Sequence, residues 1–185
     1  MITIISGTNR PGSNTRKVTA HVERAYAALG VEAQVLDLAH LPPEIFLSSS
    51  YEEKPASFKK FINAILAADG LVVITPEYNG SIPGVLKYFI DMLPFPESFE
   101  QRPVCFVGLA AGLWGALRPA EQLQHIFVYR NGIVFPERVF LPGVNSLLGE
   151  NGKLNAVTEK NLRNQAANFV RFVEKMREKK ISRAA

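Results

Sequence analysis

The chain has 185 residues and a mass of 20.5 kDa, 47% hydrophobic and 21% charged, which is the make-up of one compact globular domain and excludes disorder as its main state. Its net charge of +4 and pI near 9.3 are mildly basic and go with an anionic ligand, but no zinc-ligand spacing and no basic stripe interleaved with aromatics marks a nucleic-acid binder. The single cysteine, Cys105, excludes an internal disulfide framework, and Gly, Pro or charge breaks every apolar run before the roughly 18 residues that a membrane span needs.

The first residues, Ile2 to Ser6, are short, β-branched and bounded by Gly7, which reads as a buried strand. They run straight into polar residues, unlike a signal peptide, so the expectation is a soluble cytoplasmic protein with no membrane partner. After the polar turn SGTNRPGSNT, Val18, Val22, Ala25 and Leu29 share one helical face, and Gly30 is a natural stop. Val31 to Leu38 alternates as a second strand. Ala39 to Lys54, with Pro42, Pro43 and consecutive serines, reads as a surface loop. A second helix follows, with Phe58, Phe61, Ile62, Ile65 and Leu66 on its buried face.

Leu71 to Thr75 is the clearest central strand, and it ends in TPEYNGSIPG before a third helix from about Pro83 to Leu93. Pro103 to Leu109 gives a fourth strand, ending in GLAAGLWG, and a fourth helix carries Leu117, Ala120, Leu123 and Phe127. Ile133 to Phe135, extended by Val139 to Leu141, is the last strand. The last helix buries Leu162, Ala166, Phe169, Val170 and Val173 and then frays into a basic stretch from Lys175 to Arg183. Strands alternating with helices, the middle strands almost wholly apolar, make an α/β domain with one parallel sheet covered on both faces.

In such a sheet ligands bind beyond the C-terminal ends of the strands, and the Gly- and Pro-rich loops Gly7–Thr15, Pro76–Gly84 and Gly108–Gly115 all fall at that end. In the first, Thr8, Ser13, Asn14 and Thr15 offer donors, Arg10 a positive fork and the helix start its free amides: an anion cradle, or simply a capped helix beside a solvated arginine. It lacks the Lys-Ser/Thr of a P-loop, and Asn9 stands where the dinucleotide fingerprint needs Gly. Asp37, at the end of the second strand, reads as a turn residue. In the second loop Tyr78 supplies a flat face, and Asn79 and Gly80 can present N–H groups to a planar heterocycle. A packed tyrosine and a solvated Glu77 would leave the same sequence.

Together, SGTNRPGSNT and PEYNGSIPGVLKYFID resemble the NAD(P)H-dependent FMN reductase family of flavodoxin-like proteins, which includes chromate, quinone and azo-dye reductases. The resemblance runs from Ile2 through the last helix. It implies a flavodoxin-like three-layer α/β/α sandwich with strand order 2-1-3-4-5 and FMN bound at the strand ends. By position it implies that Thr8, Arg10, Ser13, Asn14 and Thr15 hold the phosphate. Pro76, Glu77, Tyr78, Asn79 and Gly80 would then run along the isoalloxazine ring. NAD(P)H would deliver a hydride to the FMN, and a small-molecule acceptor (free flavin, quinone, azo compound or chromate) would take the electrons, with no side chain needed as general acid or base. A homodimer or tetramer with FMN near the interface is implied too, the third helix and Leu93-Pro94-Phe95-Pro96 being candidate contacts.

The third loop departs from the family pattern. Ala110 or Ala111 takes the usual hydroxyl position, and Trp114-Gly115 takes the place of a Gly-Gly pair, so Gly112, Trp114 and Gly115 are expected beside the ring. Trp114, the only tryptophan, reads either as a wall of the flavin pocket or as a residue packed at the surface or a subunit contact. His21, His40 and His125 lack ligand spacing, Cys105 reads as a core residue, and Lys87 and Asp91 as a surface ion pair. Two rival readings stay open: a flavodoxin-type electron carrier without turnover, though such carriers are typically acidic, and a flavodoxin-like protein that has lost FMN and binds a partner.

Overall fold

The computed structural model describes residues 1–149 and 151–184, with side chains through 178. Its strands form where β-branched apolar residues run too briefly for a helix: β1 (Ile2–Ser6), β2 (Ala33–Asp37), β3 (Gly70–Pro76) and β4 (Pro103–Leu109). Every residue of β1, β3 and β4 is buried, whereas β2, at the sheet edge, buries only Leu36. The pairing is parallel in the order β2-β1-β3-β4-β5, as the resemblance implies.

The last strand comes in two pieces. β5 (Ile133–Val134) pairs with Pro103 and Val104, and β6 (Val139–Leu141) pairs with Val107 to Leu109. Between them Pro136 has no N–H to donate to a ladder, which breaks what the sequence reads as one strand.

Successive strand residues face opposite layers. Ile4, Val72, Ile74, Cys105 and Val107 pack with α1 (Asn14–Ala28) and with Leu162, Ala166 and Phe169 of the last helix. Ile5, Leu71, Val73 and Phe106 pack against α2 (Lys59–Leu66), α3 (Gly84–Asp91) and α4 (Leu117–Tyr129). The short α5 (Val144–Leu147) follows β6, and α6 (Ala156–Ala184) closes the chain.

Several expectations need correcting. Leu66 is 40% exposed, because α2 ends there and its core face is already filled by Phe61 and Ile65. The third helix ends at Asp91, although Leu93 beyond it is buried. Val170 is half-buried at the edge of the α6 contact. Residues 39–54 are more than surface loop: 3₁₀ turns at Leu38–His40, Pro43–Phe46 and Ser48–Tyr51 bury Ile45 and Ser50, whose hydroxyl donates to the Glu44 carbonyl at 2.7 Å. α6 continues through the basic stretch instead of fraying at Lys175, and the side chains of its last residues lie outside the described ones.

Gly7 sets how closely the first loop lies on the sheet. Its N–H donates to the Ile74 carbonyl at 2.8 Å, and a Cβ there would stand 2.6 Å from that same oxygen. A backbone oxygen cannot step aside, so Gly7→Ala is expected to cost about 1–3 kcal/mol in urea unfolding. Gly84→Ala, at the first residue of α3 with nothing within 4 Å of the added carbon, should be neutral or stabilise by about 0.4–1 kcal/mol. Equal effects at the two glycines would show that the approach to Ile74 does not limit stability.

Candidate functional site

The three Gly- and Pro-rich loops meet at the C-terminal edge of the sheet and enclose a cleft of about 430 Å³. Of the residues singled out from the sequence, Arg10, Ser13, Asn14, Thr15, Pro76, Glu77 and Tyr78 line it.

At the first loop Ser13 caps α1, its Oγ accepting the Arg16 N–H at 3.2 Å. One cap cannot satisfy every free donor at a helix start. The amides of Gly12, Ser13, Asn14 and Thr15 have no acceptor among the described residues, and they meet at the cleft. Arg10 is exposed and has no ion-pair partner among the described residues, whereas Arg16 is engaged with Asp37 at 3.4 Å. Amides and a guanidinium without partners among the described residues, at the positive pole of a helix, are groups that could hold an anion at this end of the cleft.

The second loop is a tight hairpin. Tyr78 and Ser81 exchange backbone bonds at 2.9 and 3.0 Å, and Asn79 and Gly80 between them have φ of 52° and 73°, the type I′ pairing that Asn-Gly favours. The turn spends the Tyr78 amide but leaves those of Asn79 and Gly80 without an acceptor among the described residues. These two residues are exposed and lie outside the cleft lining. Gln122 of α4 fixes the turn from behind: its Oε1 accepts the Ser81 hydroxyl at 2.9 Å and the Ile82 N–H at 3.2 Å. Arg118 approaches Glu77 at 3.5 Å, setting a cation beside the carboxylate in the cleft wall.

The third loop contributes Leu109, Ala110 and Ala111 to the cleft, but not Gly112, Trp114 or Gly115. It is stitched to the stretch after β6, Ala110 donating to Leu141 at 3.2 Å and accepting from Val144 at 2.9 Å, while Gly112 accepts from Gly143 at 3.1 Å. Gly115 packs on the backbone, since a Cβ there would stand 2.8 Å from the Pro142 nitrogen. Trp114 is 57% exposed and its neighbour Leu113 is 79% exposed. Thr8 also lies outside the lining, beneath the loop, with its Oγ1 2.8 Å from the Tyr78 hydroxyl.

Sequence reasoning missed Val144 and Asn145. Asn145 accepts from Asn14 Nδ2 at 2.7 Å and so joins α5 to the start of α1. The signal was present in Pro142-Gly143, a further turn at a strand end. His21, away from the cleft, is bonded to Glu159 and to the Gly152 carbonyl. Burial raises the pKa of the Cys105 thiol, which sits in the core against Tyr26, so it supplies no reactive thiolate.

A family model described as NADPH-dependent FMN reductase matches residues 1–145. The chain is 29% identical over 154 residues to an NADPH azoreductase of a Bacillus species, covering 82% of each, and 27% identical over 180 residues to a quinone reductase of Pseudomonas putida, covering 94% of each. Among solved structures, a flavoenzyme NAD(P)H:(acceptor) oxidoreductase from Paracoccus denitrificans superposes with a TM-score of 0.78 at 22% identity, covering 95% of this chain and 97% of that one.

Proposed function

Because the chain belongs to the NADPH-dependent FMN reductase family, we propose that its cleft holds FMN and that it passes electrons from NAD(P)H to a flat aromatic acceptor such as a quinone or an azo compound. The observation that carries this reading is the two-ended character of the cleft. One end gathers the free amides of Gly12 to Thr15 and the unpaired Arg10, and the other offers Tyr78, Leu109, Ala110 and Ala111. A phosphate monoester fits the first end and a planar ring the second, so the residues present suit this cofactor.

FMN supplies the two-electron chemistry that no side chain here provides. The chain's own residues bind and polarise. Arg10 and the α1 amides would take the phosphate; the Asn79 and Gly80 amides, without an acceptor among the described residues but outside the cleft lining, would reach the ring only from its rim. Arg118 offsets the Glu77 carboxylate, so the cleft wall does not repel an electron-rich ring. A cytoplasmic setting, where reduced nicotinamides are regenerated, goes with this reading; no described helix is long and apolar enough to cross a membrane.

We also read the protein as a homodimer through the groove of about 680 Å³ between α3 and α4, where Phe95 and Tyr129 are 63% and 81% exposed. A carboxylate placed in an apolar contact must lose its water, so Tyr129→Asp should shift sedimentation to the monomer. An unchanged sedimentation coefficient would place any interface elsewhere.

The cofactor reading is tested by titrating FMN and riboflavin. Arg10→Ala should weaken FMN by about ten- to a hundredfold, as loss of charge-assisted hydrogen bonds does, and leave riboflavin nearly unchanged. Equal losses for both ligands would refute a phosphate role for Arg10. Steady NADPH oxidation with a quinone separates an enzyme from an electron carrier.

Trp114 and Leu113 form the exposed tip of the loop whose base lines the cleft. Trp114→Gly is therefore expected to leave FMN affinity within about threefold and to raise kcat/KM for bulky quinones or azo dyes more than for small acceptors. A parallel shift for all acceptors would remove Trp114 from acceptor selection.

A further inference from the structure

We propose that Thr8 is a positioning residue that sets the Tyr78 wall of the cleft in register with the anion-binding loop, and that it is not a phosphate ligand; this rests on the reading that the cleft holds FMN. Thr8 is 1% exposed and absent from the cleft lining, so its side chain has no open path to a ligand there. Its hydroxyl is also engaged twice. Oγ1 accepts the Arg10 N–H at 3.2 Å and shares a 2.8 Å hydrogen bond with the Tyr78 hydroxyl. A threonine hydroxyl has one proton and two lone pairs, so these bonds occupy most of its capacity.

The two bonds join the two ends of the cleft. Arg10 belongs to the anion end of the cleft and Tyr78 to its flat wall, and the two residues sit on loops that follow different strands. The Tyr78 backbone is itself clamped by its exchange with Ser81, which Gln122 holds in turn. With the backbone fixed, the tyrosine ring keeps rotation about its side-chain bonds, and the bond to Thr8 is what restrains its far end. The strut therefore runs from the Arg10 backbone through the Thr8 hydroxyl to the rim of the ring. Its length sets the spacing between phosphate end and ring end, which a ligand with a rigid ring and an anionic tail must match. Binding is tighter when a site is already held in that geometry.

The test uses Thr8→Val, Tyr78→Phe and the double variant, each titrated with FMN and with riboflavin by quenching of flavin fluorescence. Both substitutions remove a hydroxyl and keep the shape. Each single variant is expected to weaken FMN and riboflavin alike, by about three- to tenfold, the value of one neutral hydrogen bond. The double variant should be no weaker than the poorer single one, because one bond is lost only once. Thr8→Ser should restore wild-type affinity, which separates a lost hydroxyl from a lost methyl contact.

A Thr8→Val loss confined to FMN would overturn the proposal and make Thr8 a phosphate ligand, and so would additive losses in the double variant. Urea midpoints of the flavin-free proteins read the same coupling without any ligand, and absence of coupling there would overturn the strut whatever the flavin results. A wild-type chain that binds neither flavin, yet shows the coupling, would instead overturn the FMN reading.

Discussion

The site depends on a step in the sheet edge. Asp37, Ser6, Ile74, Val107 and Val139 lie in one hydrogen-bonded row across β2, β1, β3, β4 and β6. Beyond that row β3 and β4 continue together, Thr75 beside Gly108 and Pro76 beside Leu109, whereas β1 stops at Ser6. At about 3.3 Å per residue the shortfall makes a step some 6–7 Å high where β3 rises beside β1 and β2, which end in the same row. The chain leaving β1 folds onto it, and the bond from Gly7 N–H to the Ile74 carbonyl seats the turn against the wall of β3. This brings the start of α1 over the sheet rather than beside it. Because the strands are parallel, the loops after β3 and β4 rise at the same edge and complete the enclosure.

The loop seated on this step also carries the electrostatics. A helix start exposes backbone donors that its own carbonyls cannot reach, and in most proteins water or side chains absorb them. Here a single cap takes the Arg16 amide, and the amides before it converge on the cleft. Arg16 and Lys87 are occupied by Asp37 and Asp91, and among the residues lining the cleft Arg10 is the one cation, without an ion-pair partner among the described residues. The net charge of +4 therefore matters less than the distribution: most surface cations have no bearing on the cleft, and one without a partner stands beside orphaned amides. The second loop works differently. Its donors are freed by turn geometry, since the Asn79-Gly80 pair satisfies Tyr78 and Ser81 and leaves its own amides outward.

Much of this is legible in the sequence because it rests on local rules. Apolar runs such as Leu71–Ile74 admit one interpretation, and Gly and Pro mark the loops where chains turn at strand ends. The less legible parts rest on contacts distant in sequence. Thr8 sits in a row of hydroxyl and amide residues, and nothing in that row announces its bond to Tyr78, 70 residues later. Asn145 is meaningful only because α5 is carried back to Asn14. Gly112 and Gly115 look like ligand-facing glycines but lie outside the cleft, and Gly115 serves a backbone approach to Pro142. The broken last strand and the exposed Leu66 fail for a further reason: periodicity reports a face, not where an element stops.

The loops also differ in how firmly they are held, and that difference divides their work. The second is fixed at its backbone by its own hairpin bonds, behind by Gln122 and at its ring by Thr8. The base of the third is tied to Leu141, Gly143 and Val144, but its tip carries Leu113 and Trp114 largely in solvent. If the cleft holds FMN, the restrained loops would give it walls that do not have to be ordered again at each turnover. A substrate that enters and leaves would meet the tip instead. Side chains there can change without disturbing the sheet, because the packing constraint ends at Gly115 and the buried Ala116. The departure at Trp114 thus falls where substitution is structurally cheapest, at the exposed tip beyond the restrained base of the loop.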